Sequence, residues 1–238
     1  MTSVVRSPRP YDAADFVPLM VTARLDGPIV LTQHAPALDA LLAYAVAQEV
    51  GLPPLEVQGD EAPTVEVPLA RSRCGRYHQA SFGVARAERS ELSYFNRKFP
   101  IEVAQAIGDA KVNRVDVSSG RNKSFRLPQE RIHLEADRVT WFAIGDIPEV
   151  RALLSWVTRL GRKRSQGAGR VAEWRVVEVE SWGLGFPVVT PEGRALRPLP
   201  LEDERVSPEN PRARMVLSFP YFQLFREEEV YAPAMGLR

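Results

Sequence analysis

The segment Arg159-Leu-Gly-Arg-Lys-Arg-Ser-Gln-Gly-Ala-Gly-Arg-Val constrains this chain more than any other. Before it, Val150, Leu153, Leu154, Val157 and Leu160 recur at helical spacing. Asp146 and Glu149 stand at capping-box spacing, Pro148 suits the first turn, and Gly161 suits a left-handed C-terminal cap. After it, Val171–Val179 reads as a strand. Gly167 and Gly169 allow the backbone to approach a ligand closely. Arg162, Lys163, Arg164 and Arg170 surround them, with Ser165 and Gln166 between. Cations beside open backbone N–H groups form a receptor for a phosphate chain. The plainer alternative is a tight turn with surface arginines. A nucleotide-triphosphate loop is excluded, because the glycine-lysine-serine ending is missing and the order runs helix to strand. The GxGxxG spacing of dinucleotide sites is missing too.

A helix, a glycine loop and a strand make half of a larger unit, and the other half precedes them. Leu19, Val21, Ala23 and Leu25 alternate with polar or bulky neighbours, which predicts a strand over 19–25. Ile29-Val-Leu resumes pairing after the turn Asp26-Gly-Pro. Leu38, Leu41, Leu42, Ala45 and Val46 predict a helix with Asp39 in its first turn, stopped by Gly51 and Pro53. Further strands are predicted at Val65–Leu69, Ala80–Ala87 and Arg138–Ile144. The resulting fold class is α+β: a ferredoxin-like (RRM-like) βαββαβ domain over 19–182, after an N-terminal arm at 1–18. Residues 88–130 are too many for a plain connection and read as an insertion. A short helix at 101–107 and a hairpin through Arg114–Val117 and Ser124–Leu127 are expected in it. Residues 183–238 are expected to form a β-rich extension, with a hairpin at Pro191-Glu-Gly and a last strand at Met215–Phe219.

Formal net charge is only +1, but its distribution is uneven. Residues 1–70 hold 3 Arg/Lys against 9 Asp/Glu, residues 71–126 hold 12 against 5, and residues 151–175 hold 7 against 1. A polyanion is expected to meet the two basic blocks and avoid both ends. Within the first block, Arg71, Arg73, Arg76, Tyr77 and His78 interleave cations with an aromatic, which suits single-stranded RNA. The insertion adds Arg97, Lys98, Arg114, Ser118, Arg121, Asn122, Lys123 and Arg126. The loops at 71–80 and 162–170 are expected to converge and clasp a short RNA strand. A solvated charged surface is the alternative for each.

Cys74 is the only cysteine, which excludes an intrachain disulfide and suits a reducing cytoplasm. No apolar run approaches the roughly 20 residues of a membrane span, so no membrane partner is expected. His34, His78 and His133 lack metal-ligand spacing, and no GxSxG elbow exists. No metal, cofactor or catalytic residue is therefore assigned. The alternative is a metal-independent endoribonuclease using His34 or His78 with a nearby arginine.

The glycine loop Lys163-Arg-Ser-Gln-Gly-Ala-Gly-Arg-Val resembles that of the repeat-associated RNA-binding (RAMP) superfamily of CRISPR proteins. Four further stretches look like the Cas-five-type subunit of type IV CRISPR effector complexes. They are Leu38-Asp-Ala-Leu-Leu-Ala-Tyr-Ala-Val-Ala, Cys74-Gly-Arg-Tyr-His-Gln-Ala-Ser-Phe, Arg114-Val-Asp-Val-Ser-Ser-Gly-Arg-Asn-Lys-Ser and Leu154-Ser-Trp-Val-Thr. The resemblance spans about residues 20–200. It implies an antiviral ribonucleoprotein subunit that grips the 5′ handle of a guide RNA and caps the backbone filament. It also implies a thumb at 110–127, contacts to backbone and large subunits, and a place near the start of the target DNA duplex. The tail after about residue 200 matches no pattern of the family.

Overall fold

The computed structural model describes residues 4–5, 11–31, 34–51, 64–97, 118, 123–221 and 223–233. Their contacts divide the chain into two compact units, Met1–Arg89 with Ile132–Arg238, and Ser90–Arg131. The elements in chain order are β1 (Val4–Val5), β2 (Val17–Leu25), α1 (Leu38–Glu49), β3 (Thr64–Val65), β4 (Ala87–Arg97) and β5 (Phe125–Leu134). They continue with β6 (Arg138–Gly145), α2 (Ile147–Leu154), β7 (Val171–Glu178), β8 (Leu199–Pro200), β9 (Arg212–Met215) and β10 (Glu228–Tyr231). The described residues are thus mixed α+β, with several antiparallel sheets and few helices.

The first unit is organised on a sheet in the order β6-β2-β7, antiparallel throughout. Period-two alternation does what the sequence predicts: Leu19, Val21, Ala23, Val139, Trp141 and Ala143 are all fully buried. The opposite face of β6 is covered too, since Phe142 meets Trp182 edge-on at 4.9 Å. The predicted strand at 80–87 is instead an irregular run. It borders β6 through bridges Ala80↔Ala143 and Val84↔Thr140. Gly83 explains part of that irregularity: an added Cβ would lie 2.6 Å from the Ala35 methyl and 2.8 Å from Val139. The predicted strand at 65–69 reduces to Thr64–Val65, paired in parallel with Val4–Val5, and one bridge from Leu69 to Gly145.

The helices bury the expected stripes. α1 buries Leu38, Leu42, Ala45 and Val46, while Asp39 is unexpectedly buried with them. α2 begins as predicted, with the Asp146 carboxylate accepting from the Glu149 N–H at 2.7 Å. Asp146→Ala is expected to cost about 1 kcal/mol, read as a lowered denaturation midpoint with unchanged slope. α2 ends at Leu154, six residues before the end of its apolar stripe. There Ser155, Trp156 and Val157 donate to carbonyls three residues back, which tightens the chain into a turn. Val157 and Leu160 remain buried because the chain bends back over the same core. The apolar period therefore outlived the helix.

The C-terminal region forms a second antiparallel sheet, β8-β10-β9. A second apolar cluster joins Val188, Val189, Ala195, Leu199, Val206 and Tyr231 to Tyr77. The expected turn at Pro191-Glu-Gly is present, closed by Thr190 and Arg194. The expected last strand at 215–219 is not: β9 stops at Met215, and β10 is the last strand among the described residues. Arg197 is wholly buried where the two regions meet. It donates to the carbonyls of His78, Ala80 and Leu217, to the Tyr221 hydroxyl and to Asp39.

In the second unit, β4 and β5 pair as a two-stranded ribbon. The described return strand at 125–134 pairs with 87–97; the other arm of the hairpin expected at 114–117 lies outside the described residues. The helix expected at 101–107 lies outside the described residues. On the ribbon, Arg126 sits 3.8 Å from the centroid of the Tyr94 ring.

Candidate nucleic-acid interface

The glycine loop closes one end of the sheet, and its glycines are required for fit. Gly161, Gly167 and Gly169 all have positive φ. A Cβ on Gly169 would clash with the Leu160 carbonyl oxygen, whereas one on Gly167 would meet nothing within 4 Å. The two glycines therefore do different things: Gly169 packs the loop down, and Gly167 leaves an open surface. Ala168 is buried beside Gly169. The loop is tied by Leu160 N–H to Gly169, Gly169 N–H to Pro28 and Arg162 N–H to Val30. The N–H groups of Gln166 and Gly167 also donate within the loop, to Lys163 and Arg164. The backbone donors of Arg162, Gln166, Gly167 and Gly169 are thus engaged within the fold.

Those cations face a cleft of about 320 Å³. One wall carries Tyr44 and His34 from α1 and its entry, and the other carries Arg159, Arg162 and Arg164. Arg164 lies over the Tyr44 ring at 5.5 Å. Tyr44 is 38% exposed, unusual for an aromatic on a helix of this core. Arg162 and Arg164 are exposed, and no carboxylate among the described residues pairs with either. Two uncompensated guanidinium groups beside an exposed ring offer phosphate contacts and a stacking surface together. Burial holds the His34 imidazole below its ordinary pKa, so it is neutral at pH 7. Arg170 is turned elsewhere, 3.6 Å from the Asp26 carboxylate. Ser165 is exposed, and Lys163 and Gln166 are half-buried.

The second basic stretch needs correction. Tyr77 is 3% exposed and His78 is 7% exposed. Tyr77 packs in the C-terminal cluster, its hydroxyl bonded to Arg205 and Asp203. His78 lies 3.5 Å from the buried Asp39 carboxylate. Neither presents a face to a base, because the C-terminal extension covers them. Arg71, Arg73 and Arg76 are all exposed; Arg76 pairs with Glu228, and Arg71 donates to the Gly75 carbonyl. The expected convergence of the two loops also fails. Leu69 borders Gly145, which pairs with Val17 at one end of β2, while Asp26 N–H donates to Arg170 at the other. Nine strand residues separate these ends by roughly 30 Å.

Of the insertion residues, Lys123, Arg126 and Ser118 are exposed, and Arg97 lies at the end of β4. Lys98, Arg114, Arg121 and Asn122 lie outside the described residues. Sequence reasoning missed Tyr44, His34 and Arg159 as members of one site. Tyr44 carried a signal, an aromatic off the apolar stripe of α1, but its closeness to the glycine loop is purely tertiary.

Residues 79–183 match the family model described as CRISPR type IV associated protein Csf3. That segment is Csf3-like. The match covers somewhat under half of the chain and bears out the resemblance to a type IV CRISPR effector subunit. The Csf3 segment runs from the irregular strand beside β6, through the ribbon, β6, α2 and the glycine loop, to β7. One wall of the arginine cleft, 157–164, therefore lies inside the Csf3 match, and the α1 wall lies outside it. No curated protein matches the chain. Among the described residues, no helix is long and apolar enough to cross a membrane.

Proposed function

We propose that this chain is the non-catalytic RNA-binding subunit of a type IV CRISPR ribonucleoprotein, gripping the 5′ handle of the guide RNA through the cleft between α1 and the glycine loop. The observation that carries it is the arginine-rich wall, Arg159, Arg162 and Arg164, facing Tyr44 across one cavity inside a chain with a Csf3 match. The strand order supports the same reading. The run at 80–84 flanks β6, β6 flanks β2 and β2 flanks β7, which is the order of a ferredoxin-like βαββαβ unit. Phosphates pair with the guanidinium groups, and an unstacked base lies on Tyr44. As such a subunit it caps the backbone filament, contacts backbone and large subunits, and lies near the start of the target duplex in the cytoplasm. The β4–β5 ribbon serves as the thumb.

The test is a double variant, Arg162→Ala with Arg164→Ala, assayed with single-stranded RNA over a range of salt. Binding is expected to weaken roughly 30- to 1,000-fold at low salt, at about 1–2 kcal/mol for each of the two charged contacts. The slope of log affinity against log salt should fall by about 1.4, at about 0.7 per lost contact. A folded double variant with unchanged affinity and slope counts against the proposal.

One observation favours the endoribonuclease as a second reading. His34 Nδ1 is buried with no partner among the described residues, and the residue lines the arginine cleft. A neutral imidazole beside arginines can take a proton from a 2′-hydroxyl. Incubation with labelled repeat RNA in the absence of metal separates the two readings. Specific cleavage abolished by His34→Ala selects the enzyme; intact RNA supports the non-catalytic subunit.

A further inference from the structure

A second cavity of about 470 Å³ lies beside the arginine cleft, and both are lined by His34, Pro36 and Ala40. Its far wall comes from the C-terminal extension, through Arg214, Met215, Tyr221 and Glu227, beyond the segment matched by the Csf3 model. The character changes across the shared wall. The first cavity is cationic, with three arginines. The second has an apolar body and one residue of each charge, Arg214 and Glu227. Its volume is that of a small-molecule site, and an apolar body with a few polar groups is how such sites are built.

We infer that this second cavity is a base pocket, holding one nucleobase of the RNA strand whose phosphates occupy the arginine cleft. The inference rests on the RNA-binding reading and extends it to a separate subsite. Phe82 supplies the aromatic surface. It is half-buried and fixed by edge contacts to His34, at 6.1 Å, and Tyr221, at 5.4 Å. A ring held in place on both sides loses little freedom when a base packs on it. Arg214 is exposed, and one of its nitrogens donates to the Glu227 backbone carbonyl at 3.3 Å, which fixes the guanidinium at the rim. That leaves guanidinium donors at the rim beside an acidic residue of the lining, donor and acceptor functions of the kind that read a base edge. His34 Nδ1 adds a buried ring nitrogen with no partner among the described residues. Tyr221 is not available for reading, because its hydroxyl is committed to Asp39 and Arg197. A strand passing Ala40 therefore leaves a phosphate-binding channel and enters a wall suited to one flat, polar-edged ring.

Two single-stranded RNAs of equal length test this with the full chain. One carries all its bases in random sequence. The other has abasic sugars at alternate positions, which preserves the phosphates. Two variants probe the pocket: Arg214→Ala at its rim, and Phe82→Leu on the aromatic wall that only this cavity has. Matching thermal melts confirm that each is folded. The wild type should prefer the base-bearing RNA. Each variant should lose at least roughly fivefold on that RNA, the low end of one stacked base, while its affinity for the abasic RNA and its salt slope stay unchanged. Wild-type affinity of both variants for both RNAs overturns the base pocket. If Arg162→Ala with Arg164→Ala still loses binding in that case, the RNA-binding reading stands alone. If that double variant also binds normally, both fall. Unchanged RNA binding with loss of a copurifying effector subunit reassigns the cavity to a protein partner and overturns the inference.

Discussion

Arg197→Met is expected to cost about 3–5 kcal/mol of stability and to lower the melting temperature by roughly 6–20 °C. Arg197 and Asp39 are buried at 0% and 1% exposure, so neither charge can be rescued by water. Removing the guanidinium strands the carboxylate and frees three backbone carbonyls at once. Burial alone would raise the Asp39 pKa. Arg197 foremost, then His78 and Tyr221, outweigh burial and hold it below its ordinary value. Its stabilising contribution is therefore complete above the unfolded carboxyl value of about 4 and is lost as pH falls further, through the depressed folded value. In Arg197→Met that acid dependence should change sign, because the unpaired buried carboxyl gains from protonation. Arg197→Met with Asp39→Leu should recover a large part of the loss, since buried ion pairs tolerate apolar replacement far better than half-removal. Chemical denaturation at about pH 7, 4 and 3 checks both claims, the wild-type loss falling between the last two. An Arg197→Met protein as stable as wild type would show that the C-terminal region is not anchored on α1 in this way.

Gly169→Ala is expected to cost about 2–4 kcal/mol, against about 1 kcal/mol for Gly167→Ala. Both glycines sit at positive φ, and only position 169 also faces a backbone oxygen. Its methyl group must push against the Leu160 carbonyl, which accepts no shift without breaking the Leu160–Gly169 bond. The loop carrying Arg162 and Arg164 would move with it. RNA affinity should therefore fall in Gly169→Ala and stay near wild type in Gly167→Ala. Equal losses in both would mean that the loop is held by its φ angles alone.

Local patterns in the sequence reached the central sheet, both helix starts and the cationic glycine loop. They did so because each rests on nearest-neighbour physics: the alternation of Leu19–Leu25, the Asp146 cap, the positive φ at Gly161, Gly167 and Gly169. Three things escaped. The end of α2 was hidden because Val157 and Leu160 cover the same core from a turn as they would from a helix. Tyr77 and His78 looked like an RNA-facing pair because nothing local announces that residues 197–231 will cover them. The first strand of the ribbon, 87–97, was missed because a long ribbon leaves no core periodicity to mark it. Asp39 is the same lesson in one residue, a first-turn acid that becomes a buried anchor only when Arg197 arrives from 158 residues away.

The most direct measurement is photocrosslinking of the copurified effector complex with a guide RNA carrying photoreactive bases in its 5′ handle, followed by identification of the attached peptides. Crosslinks to 34–44 and 157–164 are the expected result. Crosslinks confined to 71–78, or none on this chain while neighbouring subunits are labelled, would contradict the placement of RNA between α1 and the glycine loop.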